Sequence, residues 1–384
     1  MTLFLYFIVF VTFLDTFVQL PIITPYAMNL GASLTLTGAI VAIYSLANMI
    51  GNLYGGYWID RYGRKKILIT GMLFVFVIAL LYPLAENGKQ LLLIRFIHGL
   101  AGGILIPAVF AYIGDLSEKS HQKSGKKPMA YAGASIGLSA IVGPAVGGIM
   151  ASQSKIDTVF IMISILFLIT ALLVMKYLEK SFIPLKQREF NYKEYSSLLK
   201  NPFIIQASLA AFSLMLSNGA LAFALPLKIE TLGLNTEITG LLLSVFGIVA
   251  LIVFLSPLNR IYDQFRAISL IMSGFLLIAL SLFLLMMVDT FFASFLAMVI
   301  YGIGFSLIFP SMNQIIKDHS AQINRGKAFG IFYAFFSLGV VIGSSLSGVI
   351  SEYISSPFLF AGIIMLVTAI GQLILSQKTD DINI

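Results

Sequence analysis

Cysteine is absent from the 384-residue chain. That absence excludes disulfides, thiolate nucleophiles and Cys-ligated metals. Histidine is nearly absent, and the three present, His98, His121 and His319, lack the spacing of a zinc site. Charge is scarce as well: Asp, Glu, Lys and Arg together make 11% of the chain, against about 25% in an ordinary soluble domain. A soluble globular fold is excluded, and no stretch is left over for a soluble catalytic domain. What is present is apolar: 59% of the residues are hydrophobic, including 32 Phe and 16 Tyr.

A bilayer-spanning helix consumes about 20 apolar residues. A membrane β-barrel would alternate apolar with polar positions, whereas runs such as 67–84 are apolar without alternation. Breaks at polar and turn-forming clusters predict twelve helices, near 3–27, 36–58, 67–85, 91–113, 129–151, 158–177, 203–227, 237–258, 267–287, 291–315, 328–350 and 357–376. The first run carries no basic leader and no small-residue cleavage site, so it is expected to be a span. Of the 24 Lys and Arg, all but Lys89, Lys155, Lys228 and Arg95 fall in one alternate set of loops. Cytoplasmic loops are the basic ones, so both termini are expected in the cytoplasm, with the chain in the plasma membrane. The same asymmetry accounts for the net charge of +7 without a nucleic-acid partner.

The polar stretch 178–202 is expected to link two six-helix halves, 1–177 and 203–384. Four residues recur at one offset: Asp60 with Asp263, Gly99 with Gly302, Pro107 with Pro310 and Asp115 with Asp318, each 203 apart. Such duplication is a signature of secondary transporters, which bind substrate at the repeat interface and work by alternating access. At the same offset Asp15 corresponds to Asn218, so one half keeps a charge where the other keeps only polarity.

The loop after the second span reads Gly55-Gly56-Tyr57-Trp58-Ile59-Asp60-Arg61-Tyr62-Gly63-Arg64-Lys65-Lys66. It resembles the cytoplasmic signature of the major facilitator superfamily at Gly56, Asp60, Arg61, Gly63, Arg64 and Lys66. The resemblance implies a gate on the cytoplasmic side, in which Asp60 and Arg64 form ion pairs joined by Asp115 at the inner end of span four. Span four holds Arg95, His98, Gly99, Gly102 and Gly103, similar to that superfamily's span-four motif. Span five holds Gly133 and Gly137, then Gly143-Pro144-Ala145-Val146-Gly147-Gly148. This ending is similar to the motif of the drug:proton antiporters within the superfamily and implies export. Physically it is a small-residue seam for helix packing, and Gly339, Gly343 and Ser347 continue such a seam in span eleven.

A charged group inside a span is costly and faces a cavity or a partner. Helical spacing puts Arg95, His98 and the glycines of span four on one face. The expected partner of Arg95 is Asp15, directly or through water, with snorkelling to the interface as the alternative. Asp15 is the leading candidate for proton coupling, since burial and a nearby cation act oppositely on its proton affinity; direct binding of a cationic substrate by the same carboxylate is the rival role. For His98, packing and proton carriage both stand open. Pro21 and Pro25 are expected to bend the first span. Gln19, Asn48, Tyr131, Asn218, Asn313 and Gln314 are further polar residues in spans that could line a substrate cavity, together with Asp15 and Arg95.

The expectation is therefore an all-α integral membrane protein of the major facilitator fold and not an enzyme. It would export a small, amphipathic molecule in exchange for protons, as a monomer, with no cofactor or metal. Two further readings stand beside it: an exporter dedicated to one metabolite, such as a metal-chelating small molecule, and a proton-coupled nutrient importer.

Overall fold

In a bilayer each backbone N–H and C=O must be satisfied within the chain, which leaves helices as the solution for long apolar runs. The computed structural model describes residues 2–119, 126–179, 192–320, 325–354 and 356–382, with side chains left aside at 2, 56–57, 60, 114–119, 126–130, 192–195, 325–326 and 376–382. Among the described residues there is no strand. The helices are α1 (Thr2–Val18), α2 (Ile23–Asn29), α3 (Leu34–Tyr62), α4 (Arg64–Ala79), α5 (Gly88–Lys119), α6 (Lys126–Gln153) and α7 (Ile156–Tyr177), followed by a short α8 (Tyr192–Leu199). Then come α9 (Pro202–Thr231), α10 (Thr236–Leu255), α11 (Ile261–Gln264), α12 (Ala267–Met287), α13 (Phe291–Asp318), α14 (Arg325–Tyr353) and α15 (Pro357–Ile382).

Eleven of these helices are long and apolar enough to cross a membrane, and α1 with α2 make a twelfth span bent by 45°. The protein is a multi-pass membrane protein. The bend falls where the prolines predict it. Pro21 lies in the break and has no N–H to donate, while Pro25 sits in the first turn of α2, where an N–H has no helical partner anyway. Across the break, the amides of Ile22 and Ile23 both donate to the Gln19 carbonyl, at 3.1 and 3.0 Å.

The first span of each half closes with the same turn, 202 residues apart and so one short of the offset of the sequence repeat. Gly31 ends α2 with φ +73° and Gly233 ends α9 with φ +72°, a left-handed conformation that glycine adopts without a Cβ penalty. At each end the next residue reaches back to close the motif: Ala32 N–H to the Ala27 carbonyl and Leu234 N–H to the Ile229 carbonyl, both at 3.1 Å.

Contacts group the chain into two units, Met1–Gln187 with Ile229–Ser244, and Arg188–Lys228 with Val245–Ile384. This grouping differs from the halves drawn at 178–202 in that the end of α9 and the first half of α10, Ile229–Ser244, fall in the first unit. The cause is a close approach to α6. A Cβ on Gly148 would lie 3.0 Å from the Cα of Gly240, and the Ser244 hydroxyl donates to the Ile141 carbonyl at 2.6 Å.

Within the first unit, α6 packs on α1 through the small-residue seam. A Cβ on Gly143 would stand 2.6 Å from that of Phe17, and one on Gly147 would collide with the Val18 carbonyl. The Ser139 hydroxyl fastens the same two helices, donating to the Phe10 carbonyl at 2.9 Å. The second unit repeats this between α14 and α9, where Cβ atoms on Gly339 and Gly343 would meet the Phe212 and Leu216 carbonyls. Gly133 is different. It lies on an exposed face of α6, and a Cβ there would meet nothing within 4 Å, so no helix contact explains it.

Candidate functional site: a buried charge cluster

Three helices of the first unit converge on one polar cluster. On α5, Gly99 and Gly103 bring the backbone against α3: a Cβ on Gly99 would lie 2.8 Å from the Ala47 Cβ, and one on Gly103 would lie 3.0 Å from the Asn48 Cα. That proximity sets Arg95 and His98 of α5 beside Tyr44 of α3. Asp15 and Gln19 come from α1 and the break that follows it, one turn apart.

Asp15, Gln19, Arg95 and His98 are all at least 95% buried. The Gln19 amide turns back along its own helix, Nε2 donating to the Asp15 carbonyl at 2.9 Å and to Oδ1 at 2.8 Å. Its Oε1 accepts from the Arg95 guanidinium. Arg95 Nε donates to the Ile40 carbonyl at 3.2 Å, and the guanidinium lies over the Tyr44 ring, 4.6 Å from the centroid. The Tyr44 hydroxyl contacts Asp15 Oδ2 at 3.3 Å and Thr16 at 3.2 Å. His98 Nε2 stands 3.2 Å from the same Oδ2, but off the line of the ring N–H, so the contact is electrostatic rather than a formed hydrogen bond. Its Nδ1 meets the Tyr82 hydroxyl at 2.9 Å.

Two expectations are refined by this geometry. Arg95 is buried and does not snorkel. It reaches Asp15 through Gln19 rather than directly, because an amide can accept from a cation at one atom and donate to an anion at the other. The group that faces the acid directly is the His98 imidazole. Tyr44 and Tyr82 were not singled out from the sequence; with 16 Tyr in the chain, nothing but the tertiary contact distinguishes them.

The remaining candidates are dispersed. Asn48 is one turn from Tyr44 on α3, accepts from Asn52 at 2.9 Å and flanks Gly102. Tyr131 is exposed and packs its ring on Tyr6 at 5.5 Å. In the second unit, the Ser217 hydroxyl of α9 meets the Tyr301 hydroxyl of α13 at 2.9 Å, with Asn218 beside that hydroxyl. Asn313 donates to the Phe309 carbonyl of its own helix at 2.7 Å, and Gln314 is exposed. Tyr301 stands at the 203-residue offset from His98, as Asn218 does from Asp15. The second unit thus keeps the contact between these two positions and replaces both titratable groups with ones that do not titrate near neutral pH.

Around the second-span loop, Gly63 joins α3 to α4 at φ +91°, Arg64 is buried, and Arg61 is exposed beside the Tyr62 ring. Gly56, Asp60 and Asp115 lie outside the residues whose side chains are described. In the corresponding loop of the second unit, Tyr262 of α11 donates to the Ser306 carbonyl at 2.8 Å; burial pushes its hydroxyl up to about 12, so it stays a neutral donor.

The family model of the Major Facilitator Superfamily matches residues 5–323 and again 207–381. The chain belongs to that superfamily. As a superfamily member it is a membrane transporter of small molecules and not an enzyme. Among its relatives, multidrug resistance protein 2 of Bacillus subtilis is 24% identical over 382 residues, covering 97% of this chain and 94% of the relative. Quinolone resistance protein NorA of Staphylococcus aureus is 27% identical over 369 residues, covering 93% and 92%. The fold matches the crystal structure of a bacterial homologue of the human lysosomal transporter Spinster with a TM-score of 0.82 at 14% identity, over 98% of this chain and 96% of that one. A nucleoside transporter, NupG, matches with a TM-score of 0.78 at 15% identity, over 98% of each chain.

Proposed function

We propose that this superfamily member is a drug-efflux transporter of the plasma membrane, exporting small amphipathic molecules in exchange for protons by alternating access. The observation that carries the coupling is the buried Asp15 cluster. A carboxylate, a guanidinium and an imidazole are held together inside an apolar bundle, and intramembrane ionisable groups of this kind mark proton and ion pathways. Full-length similarity to proteins named for multidrug and quinolone resistance supports the direction of transport and the substrate class. Both termini are cytoplasmic and the working unit is a monomer, with the Asp60, Arg64 and Asp115 network closing the cytoplasmic side.

The coupling works through the charge of Asp15. As a carboxylate it draws the Gln19 amide to Oδ1 and the Tyr44 and His98 groups to Oδ2. A proton taken on from outside neutralises it and weakens all three attractions at once. The arrangement of α1, α3 and α5 that those contacts favour then loses its advantage over the alternative. A ligand shifts such an equilibrium only by its differential affinity for the two states, and a proton on Asp15 meets that condition.

The test is transport into everted membrane vesicles carrying an imposed pH gradient. Several chemically unrelated amphipathic cations and neutral compounds are expected to dissipate the gradient and to compete with one another, with uptake abolished by a protonophore. Competition confined to one compound class would replace the multidrug reading with an exporter dedicated to one metabolite. Transport unaffected by the protonophore would contradict proton exchange.

A further inference from the structure

The hydrogen bonds around His98 have a direction, and Tyr82 sets it. Tyr82 follows α4 in a short 3-10 turn, Tyr82–Leu84, and is fully buried. Its ring stacks on Phe160 of α7 with centroids 3.9 Å apart. Its carbonyl accepts from the Tyr26 hydroxyl of α2 at 2.6 Å, and that hydroxyl lies 3.2 Å from Asp157 Oδ1 in the first turn of α7. Tyr82 is therefore clamped from α2 and α7 with its hydroxyl delivered to His98.

That hydroxyl has two neighbours, His98 Nδ1 at 2.9 Å and the Arg95 guanidinium. A guanidinium can only donate, so the Tyr82 hydroxyl turns its oxygen toward that cation and its one hydrogen toward Nδ1. An Nδ1 that accepts belongs to a neutral imidazole carrying its proton on Nε2, which is the nitrogen 3.2 Å from Asp15 Oδ2. The other arm runs the same way: Arg95 donates to Gln19 Oε1, and Gln19 Nε2 donates to Asp15 Oδ1. Along this arm each hydrogen points from the cation toward the carboxylate.

We propose that Tyr82 is a positioning residue: by donating to Nδ1 it holds the His98 ring in its Nε2–H tautomer, with that nitrogen on the side of Asp15. The titratable and charged groups around the imidazole are accounted for element by element. Asp15 faces it from α1, Tyr44 from α3, Tyr82 from the end of α4 and Arg95 from its own helix, while Tyr26 of α2 and Asp157 of α7 act on it only through Tyr82. Removing the hydroxyl frees Nδ1. The imidazole then has no donor to fix which of its nitrogens carries the proton. The inference rests on the proton-exchange reading for its use but not for its test.

The test is nitrogen-15 NMR of the imidazole in the purified full chain, with His121→Gln and His319→Gln leaving His98 as the sole histidine. The parent is expected to show a neutral ring protonated on Nε2 at neutral pH. Tyr82→Phe, which keeps the ring that stacks on Phe160, is expected to lose the single tautomer. A parent protonated on Nδ1, or an unchanged tautomer in Tyr82→Phe, overturns the proposal. Loss of flux alone would not reproduce the NMR signature, so failure of this inference and failure of the proton-exchange reading are read separately.

Discussion

Arg95→Met is expected to reduce export by about 100-fold, with the protein still inserted. Methionine keeps the unbranched apolar stem of arginine and ends where the guanidinium begins, so the substitution deletes the charge, its donors and the contact with the Tyr44 ring. The Ile40 carbonyl and Gln19 Oε1 then lose their donor, and the Asp15 carboxylate is left buried without the cation that balances it. Removing one partner of a buried charge pair costs about 3–5 kcal/mol. The cluster then lacks the counter-charge against which the proposed change of charge at Asp15 works. Substrate binding and transport separate the possible outcomes: retained binding with lost pH-driven export is expected, while export near the parental rate would show that the cluster is only structural.

Gly147→Leu is the second large effect. The position is pressed against the Val18 carbonyl, an atom that cannot swing aside as a side chain does. Accommodation requires α6 to move off α1, breaking the Ser139 bond to Phe10 and displacing the helix that carries Asp15. Overpacking of this sort costs about 1–3 kcal/mol where side chains can adjust and more against backbone. Export is expected to fall more than about tenfold, with a lower melting temperature. Gly133→Leu is the matched control, because that position faces open space; near-parental export and stability are expected. Equal damage from both substitutions would contradict the packing account.

The spans were legible because the bilayer leaves the chain little freedom: it demands about twenty apolar residues and internal hydrogen bonding, and the helices begin and end close to where polar clusters interrupt those runs. The bend near Pro21 and the seam at Gly143 and Gly147 were legible for similarly local reasons. So were Asp15, Arg95 and His98, since an ionisable residue in an apolar run stands out by its cost. Their partnership was only partly legible. Charge logic pointed to Asp15 with Arg95, whereas the fold interposes Gln19, which sits one turn from Asp15 and so was within reach of the same spacing argument. Tyr44, Tyr82, Tyr26 and Asp157 were not legible, because a tyrosine in a membrane helix packs, faces lipid or donates a hydrogen bond according to neighbours that only the tertiary structure supplies. The repeat offset would have offered one clue: Tyr301 stands where His98 does, and its contact with Asn218 mirrors that of His98 with Asp15.

The most direct test of the central claim is proton flux in proteoliposomes containing a pH-sensitive dye, for the parent and for Asp15→Asn. Asparagine keeps the size and much of the hydrogen bonding of the acid but cannot take up the proton. Addition of an amphipathic substrate is expected to drive proton movement in the parent and none above background in Asp15→Asn, with substrate binding retained. Undiminished substrate-driven flux in Asp15→Asn would contradict the account and place the proton elsewhere.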